Sequence, residues 1–93
     1  SRYINTWMHY FENGEIESII NYKAGLPDGA TKVYHPTGTL VQEGMYSSGL
    51  ESGSWKFYDS KGRLQFTGQY ESGNPVGIWY ELVRGKQKVY KRY

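Results

Sequence analysis

The sequence predicts an all-β protein: an elongated antiparallel meander of about four tandem 24-residue β-hairpin repeats that forms an open, twisted, single-layer sheet. One observation is the period, since Trp55 and Trp79 lie 24 residues apart and the twelve glycines fit the same register. The others are strands with alternating side chains and glycine-containing turns between them. Periods of this length are typical of stacked units, none of which can bury its apolar face alone.

The repeats divide the chain into units within a single domain, residues 1–93. The predicted units are 6–29, 30–53, 54–77 and 78–93. The last unit fits the register if it is one residue shorter, so that Gly85 takes the place of Gly62 and Tyr93 that of Tyr70.

Two positions depart from the repeat. Thr31 stands where the other units carry tryptophan, and Ile20 stands where Gly44 and Gly68 recur. We expect these changes to affect local packing more than the fold.

Each unit is predicted to be a hairpin of two short strands. Residues 54–58 alternate rings with polar groups, and residues 64–70 place large side chains and a glycine at every second position. Between them, residues 59–62 match residues 35–38, where proline suits the second position of a type I turn and glycine the left-handed position that follows. In the first unit, Asn13-Gly14 is a strong hairpin signal.

The segments between hairpins are predicted to be loops, as in residues 70–77, because Pro27 and Pro75 fall at matching places there. Chaining the units gives about eight strands roughly 4.8 Å apart, hence a sheet about 35 Å or more along its stacking axis. Sheet twist should curve it into a groove.

Composition leaves the compartment open. The mean hydropathy is −0.73, cysteine is absent, and the sequence shows no transmembrane segment and no signal peptide. Localisation therefore stays unknown. Because Ser1 begins inside what reads as an inter-repeat segment, we expect that an upstream segment is missing.

Catalytic and metal-binding signals are weak. His9 and His35 lie at different repeat offsets, and neither has the spacing of a metal ligand or a nucleophile partner. No serine lies in a nucleophile-elbow pattern, and phosphate-binding glycine loops are missing. The sequence therefore predicts a non-enzyme without cofactor or metal.

The pattern Tyr-x-x-Gly-x-x-x-Gly-x-Trp-x-x-Tyr-x-x-x-Gly-x-Leu, read from Tyr46 or Tyr70, resembles the MORN repeat, and more closely its bacterial variant form. The resemblance extends from Trp7 to Tyr93. It implies an open sheet of hairpins that holds proteins or, in some members, anionic lipid headgroups. Some bacterial relatives carry antitoxin labels and others lipid-kinase labels, but no kinase residues exist here to inherit the second.

The tryptophans support two interpretations. Trp7, Trp55 and Trp79, with Phe57 and Val33 two residues along the strand, could line a groove that binds a partner, since such rings are common in binding hot spots. The alternative, which we favour, is that they are the core of the sheet. The same choice applies to Tyr10, Tyr34 and Tyr58, which alternation places on the opposite face.

Basic residues concentrate at the C-terminus. Residues 1–81 contain six Lys or Arg against nine Asp or Glu, whereas residues 82–93 contain five Lys or Arg and no acid. Register with the third unit turns Val89 and Tyr93 inward. The candidate outward row is Arg84, Lys86, Lys88 and Arg92. Such a row could bind a phosphate surface or an acidic partner, but we favour protection of the sheet edge.

The sequence therefore predicts a scaffold that binds another protein through an aromatic-lined groove. The first alternative is binding to an anionic membrane surface through the basic C-terminal strand, and a weaker one is neutralisation of a toxin. Nucleic acid is disfavoured because the net charge is only +2. Homodimerisation through an exposed sheet edge is a further expectation of this architecture.

Overall fold

The computed structural model describes residues 4–93, which form one antiparallel sheet. The strands are β1 (Ile4–Tyr10), β2 (Ile16–Lys23), β3 (Leu26–Tyr34), β4 (Leu40–Ser47), β5 (Leu50–Tyr58), β6 (Leu64–Glu71), β7 (Asn74–Val83) and β8 (Lys86–Arg92). Each strand pairs with its neighbours in sequence, so the predicted eight-stranded meander is confirmed. Its extents of 43 × 33 × 13 Å are those of a single layer, which has no second layer to cover either face.

The turns inside the first three units are as predicted. In the third, the Gly62 N–H donates to the Asp59 carbonyl at 2.9 Å, and Gly62 has a φ of +82°. Asp59 closes this turn further, because its side chain accepts hydrogen bonds from the Lys61 and Arg63 amides, each at 2.9 Å. These bonds to the backbone, that to Arg63 first, lower the pKa of the Asp59 carboxyl.

The predicted loops between hairpins are wrong: these connections are two-residue turns. Strand β7 already begins at Asn74, so Pro75 and Gly77 lie within it. Ser72 and Gly73 both have positive φ, at +49° and +82°, a turn geometry that matches the twist of the flanking strands. Pro75 is tolerated because it precedes the part of β7 that pairs with β8, which begins at Ile78, so no strand bond on that side needs its missing N–H. The strands therefore run across the unit boundaries predicted from the sequence.

The last hairpin also differs from the prediction. Arg84 and Gly85 have φ values of +54° and +78°, so the β7–β8 connection is a two-residue turn like Ser72-Gly73. Gly85 therefore does not take the place of Gly62. This shorter turn changes the register of β8. Its bulge lies opposite Trp79 and Tyr80, two residues before the place that matches the bulge opposite Phe57 and Tyr58 in the third unit.

Candidate functional site: the tryptophan face

The buried part of the sheet is built from a glycine and a tryptophan on adjacent strands. The indole of Trp55 on β5 lies against Gly44 of β4, and that of Trp79 on β7 lies against Gly68 of β6. A Cβ at either glycine would overlap the ring carbons. We call each such contact a Gly–Trp seam, and we call the side of the sheet that carries it the tryptophan face.

Tyrosines border the two rings. Tyr46 and Tyr70 meet the Trp55 ring edge-on, with centroids 5.4 and 5.7 Å away. Tyr70 also meets Trp79, at 5.2 Å, and Tyr93 meets the same ring at 6.0 Å. Tyr93 thus occupies the place that Tyr70 has in the preceding unit, as predicted. Burial raises the pKa of the Tyr46 and Tyr70 phenols, and the nearby Glu51 carboxylate adds to it.

Phe57 completes the row. Its ring stacks between Trp55 and Trp79, at centroid distances of 6.2 and 5.8 Å. Trp55 is 2% exposed and Trp79 is 7% exposed, so both are core residues. The core interpretation therefore fits the positions of Trp55 and Trp79, and neither ring has a free face for a partner.

Trp7 has a different environment from its two counterparts. It is 55% exposed, and its ring neighbours are Tyr22 at 6.1 Å, edge-on, and His9 at 6.5 Å. Within residues 4–93, strand β1 pairs only with β2, and no glycine-bearing strand lies on its other side. A concavity of about 370 Å³ opens beside the ring, lined in part by Asn5 and Tyr22.

The two departures from the repeat, Ile20 and Thr31, lie in one contact between neighbouring units. Ile20 of β2 lies directly opposite Thr31 of β3, at the place where the other units join glycine to tryptophan. A larger residue has replaced the glycine and a smaller one the tryptophan. The Thr31 hydroxyl donates to the Ile19 carbonyl at 2.9 Å, which satisfies this buried polar group.

Comparison with known families matches two segments of the chain, each of which covers most of one hairpin. The family model described as MORN repeat variant matches residues 5–24 and 27–48. These two segments are therefore similar to MORN repeat variants. MORN repeats are generally non-catalytic modules that often mediate contacts with proteins or membrane lipids. A search of curated proteins and a search of solved structures each found no match to this chain.

The basic strand β8 lies differently from the prediction. Lys88 pairs with Glu81, and Lys91 pairs with Trp79, which places both lysines on the tryptophan face. Val89 pairs with Tyr80 on the opposite face, so its predicted inward position is wrong. The bulge instead lets Tyr90 reach Phe66, with centroids 4.9 Å apart.

The predicted outward row is therefore not one row. Lys86 pairs with Val83 and shares the tryptophan face with Lys88, whereas Arg92 pairs with Ile78 on the opposite face and Arg84 lies in the turn. All of β8 is exposed. Tyr90 and Lys91 were not predicted to lie on the tryptophan face, because a bulge and not simple alternation places them there.

The opposite face of the sheet carries a contact between a tyrosine and a carboxylate. The Tyr58 hydroxyl donates to the Glu43 carboxylate, a contact that confirms the predicted side for this tyrosine. Burial, with this hydrogen bond and the carboxylate charge, raises the pKa of Tyr58 to about 12.

The structure offers little for catalysis or metal binding. Within residues 4–93, no three His, Asp or Glu side chains come together in a group that could hold a metal ion. His9 lies beside Trp7, and His35 lies in a turn, where its backbone bonds to Thr39 and Gly38. Over the same range there is no helix of the length and apolarity needed to cross a membrane.

Proposed function

We propose that this MORN-variant chain is a non-enzymatic module that binds another protein through its tryptophan face. One observation carries the proposal: a single-layer sheet leaves this face uncovered, and exposed rings remain at both of its ends, Trp7 at one and Tyr90 with Tyr93 at the other. Exposed aromatic side chains on an ordered sheet can supply contact area at low entropic cost.

Charge indicates the chemistry of the partner. Lys86, Lys88 and Lys91 border the exposed rings at the β8 end of the face. A partner that places apolar groups on Tyr90 and Tyr93 and acidic groups beside the lysines would match this end. The lysines would then steer association and set orientation more than they would add affinity.

The test compares two faces at the same place in the sheet. Tyr90→Ser with Lys88→Ser alters the tryptophan face, and Ile78→Ser with Arg92→Ser alters the opposite face and removes the same charge. Each protein, checked for folding by circular dichroism, is used to capture partners from the native host lysate. We expect one protein that the wild type and the opposite-face variant retain and the tryptophan-face variant loses. Equal retention by both variants would contradict the proposal.

A second candidate is an anionic membrane surface, because three lysines and two exposed tyrosines share one end of one face. Flotation with vesicles of phosphatidylcholine, with and without phosphatidylserine, tests it at low salt. Binding only to the acidic vesicles, lost in Lys86→Glu with Lys88→Glu, would support this candidate. The charge-matched control is Lys32→Glu with Lys56→Glu on the opposite face, which should still bind. No binding to acidic vesicles would eliminate it.

A further inference from the structure

One asparagine of this chain, Asn13, precedes a glycine. Asparagine is a thermolabile residue, and a following glycine makes it most reactive, because no side chain hinders attack of the glycine nitrogen on the asparagine side chain. The pair lies in the β1–β2 turn, where both residues are exposed and Gly14 has a φ of +89°. This turn therefore carries the elements of a deamidation site.

Deamidation here would form a bond between the Gly14 nitrogen and the side-chain carbon Cγ of Asn13. The bond from Cγ to Nδ2 breaks, and Nδ2 leaves as ammonia with the proton of the Gly14 N–H. Water then opens the cyclic imide at one of its two carbonyls, which leaves aspartate or isoaspartate at position 13. Water is the only co-reactant, and no catalytic residue is needed.

In the folded sheet each of the three reacting groups is hydrogen-bonded. The Gly14 N–H donates to the Phe11 carbonyl at 2.9 Å. The Asn13 side chain accepts a bond from the Glu15 amide at 2.9 Å through Oδ1, and its Nδ2 donates to the Pro36 carbonyl at 3.1 Å. The attacking nitrogen, the carbonyl and the leaving nitrogen are thus all engaged, so the fold should slow the reaction.

We propose that Asn13 is a deamidation site that the folded sheet keeps latent, with the hydrogen bond to Pro36 as the lock. The other two bonds lie within one turn and are lost whenever that turn opens locally. The bond to Pro36 instead ties the side chain to the next hairpin, so the leaving nitrogen is freed only when the two turns separate. It runs towards β3, away from the β1 edge, so a strand added at β1 would leave it in place.

The product does not fit the same place. Aspartate has no N–H to donate, so its carboxylate would face the Pro36 carbonyl oxygen without a hydrogen bond. Isoaspartate also lengthens the main chain by one methylene inside a turn that the Gly14–Phe11 bond closes. Deamidation should therefore separate the first turn from the second and lower the melting temperature.

The chain contains equivalent turns with and without such a neighbour. Thr37 and Lys61 occupy the place of Asn13 in the next two turns, and each precedes a glycine whose N–H makes the same 2.9 Å turn bond. Beside Thr37, the following turn has Ser60 at the place of Pro36. Beside Lys61, the β7–β8 turn is two residues shorter, and an open cavity of about 550 Å³ is lined by both turns. A side chain at position 61 therefore has no neighbouring turn carbonyl to bind.

Two variants place an Asn-Gly pair in these turns: Thr37→Asn, and Lys61→Asn with Asp59→Phe. The Asp59 change copies Phe11 and removes the carboxylate that already accepts a bond from the Arg63 amide at 2.9 Å. The native pair remains in both proteins as an internal reference. Mass spectrometry of tryptic peptides follows each site separately, in the folded proteins and in urea.

In urea the three sites should deamidate at equal rates. In the folded proteins, checked by circular dichroism, Asn13 and the site at position 37 should react about fivefold more slowly than the site at position 61, the factor that corresponds to one hydrogen bond. Equal rates at the three folded sites would overturn the proposal, because the turn alone would then set the rate. So would an Asn13 that reacts as fast in the folded protein as in urea.

Melting temperature gives a second measurement that needs no introduced asparagine. Wild-type protein stored at neutral pH should lose melting temperature in step with its deamidated fraction, whereas Asn13→Ser, which cannot form the imide, should keep its own. Deamidated protein that melts with the wild type would contradict the inference that the product breaks the contact between the two turns.

Discussion

Gly44 lies so close to the indole of Trp55 that no side chain fits between them. The contact joins one unit to the next, because Gly44 belongs to the second hairpin and Trp55 to the third. In a sheet without a second layer, the flat ring supplies the cover that a facing layer would otherwise give. The glycine is therefore needed for space, since its backbone has ordinary φ, unlike the turn glycines.

Gly44→Ala should lower the free energy of unfolding by about 1–3 kcal/mol, the usual cost of overpacking. The control is the same substitution in a Trp55→Thr background, where the ring is gone and alanine should be neutral or stabilising. Chemical denaturation of the four proteins gives the comparison. An equal loss in both backgrounds would show that the glycine acts through the backbone and not through the ring.

The Ile20 and Thr31 pair should behave as a coupled exchange. Thr31→Trp alone should destabilise the sheet, because the indole meets the Ile20 side chain. Adding Ile20→Gly should restore stability by forming a third Gly–Trp seam. The double-mutant cycle should give a coupling energy of about 1–3 kcal/mol, and additive single effects would contradict this account.

The two buried indoles differ in their hydrogen bonds. The Trp55 N–H donates to the Met45 carbonyl at 3.2 Å, whereas the buried Trp79 N–H has no partner among the described residues. Trp55→Phe should therefore cost about 1 kcal/mol more than Trp79→Phe, because only the first leaves a carbonyl unpaired. Urea denaturation of the two variants measures the difference, and a larger loss for Trp79→Phe would be the contrary result.

Ionisation of Tyr58 should lower the free energy of unfolding at high pH. Its pKa is raised from 10.0 to about 12, so the fold favours the neutral phenol. That contribution is complete below pH 10 and is lost as pH rises from 10 towards 12. Absorbance titration should show that Tyr58→Phe lacks one of the tyrosines that titrate late in the wild type. Glu43→Gln removes the carboxylate charge but keeps an oxygen that can accept the bond, so the pKa of Tyr58 should fall only part of the way towards 10. An unchanged titration would exclude the carboxylate charge as a cause.

Much of the fold could be predicted from the sequence because the repeat fixes the strands and turns together. The glycines mark the turns, alternation marks the strands, and short connections permit only a meander. The prediction of loops between the hairpins was wrong because Ser72 and Gly73 alone are enough to form the turn between β6 and β7. The predicted register of β8 was wrong for the same reason. Arg84 and Gly85 form a two-residue turn in a unit that is one residue shorter, and this moves the bulge in the hairpin.

The candidate site was harder to predict, because the exposure of a side chain depends on which strands lie beside it, and the sequence alone does not show this. Trp7, Trp55 and Trp79 occupy equivalent positions, yet among the described residues only Trp7 lacks a strand on one side. Ile20 and Thr31 look like separate departures until the strands that carry them are adjacent. The sequence does indicate that these two residues are neighbours, because one replaces the glycine and the other the tryptophan of the same repeated contact.

Solvent access to each tryptophan tests the central claim, that two Gly–Trp seams are closed and the β1 end is open. Three proteins, each retaining one tryptophan and carrying phenylalanine at the other two positions, are compared by acrylamide quenching of fluorescence. We predict that Trp7 is quenched nearly as a free indole, while Trp55 and Trp79 are strongly protected. Protection of Trp7 equal to that of the other two, in a monomeric protein, would contradict the open end.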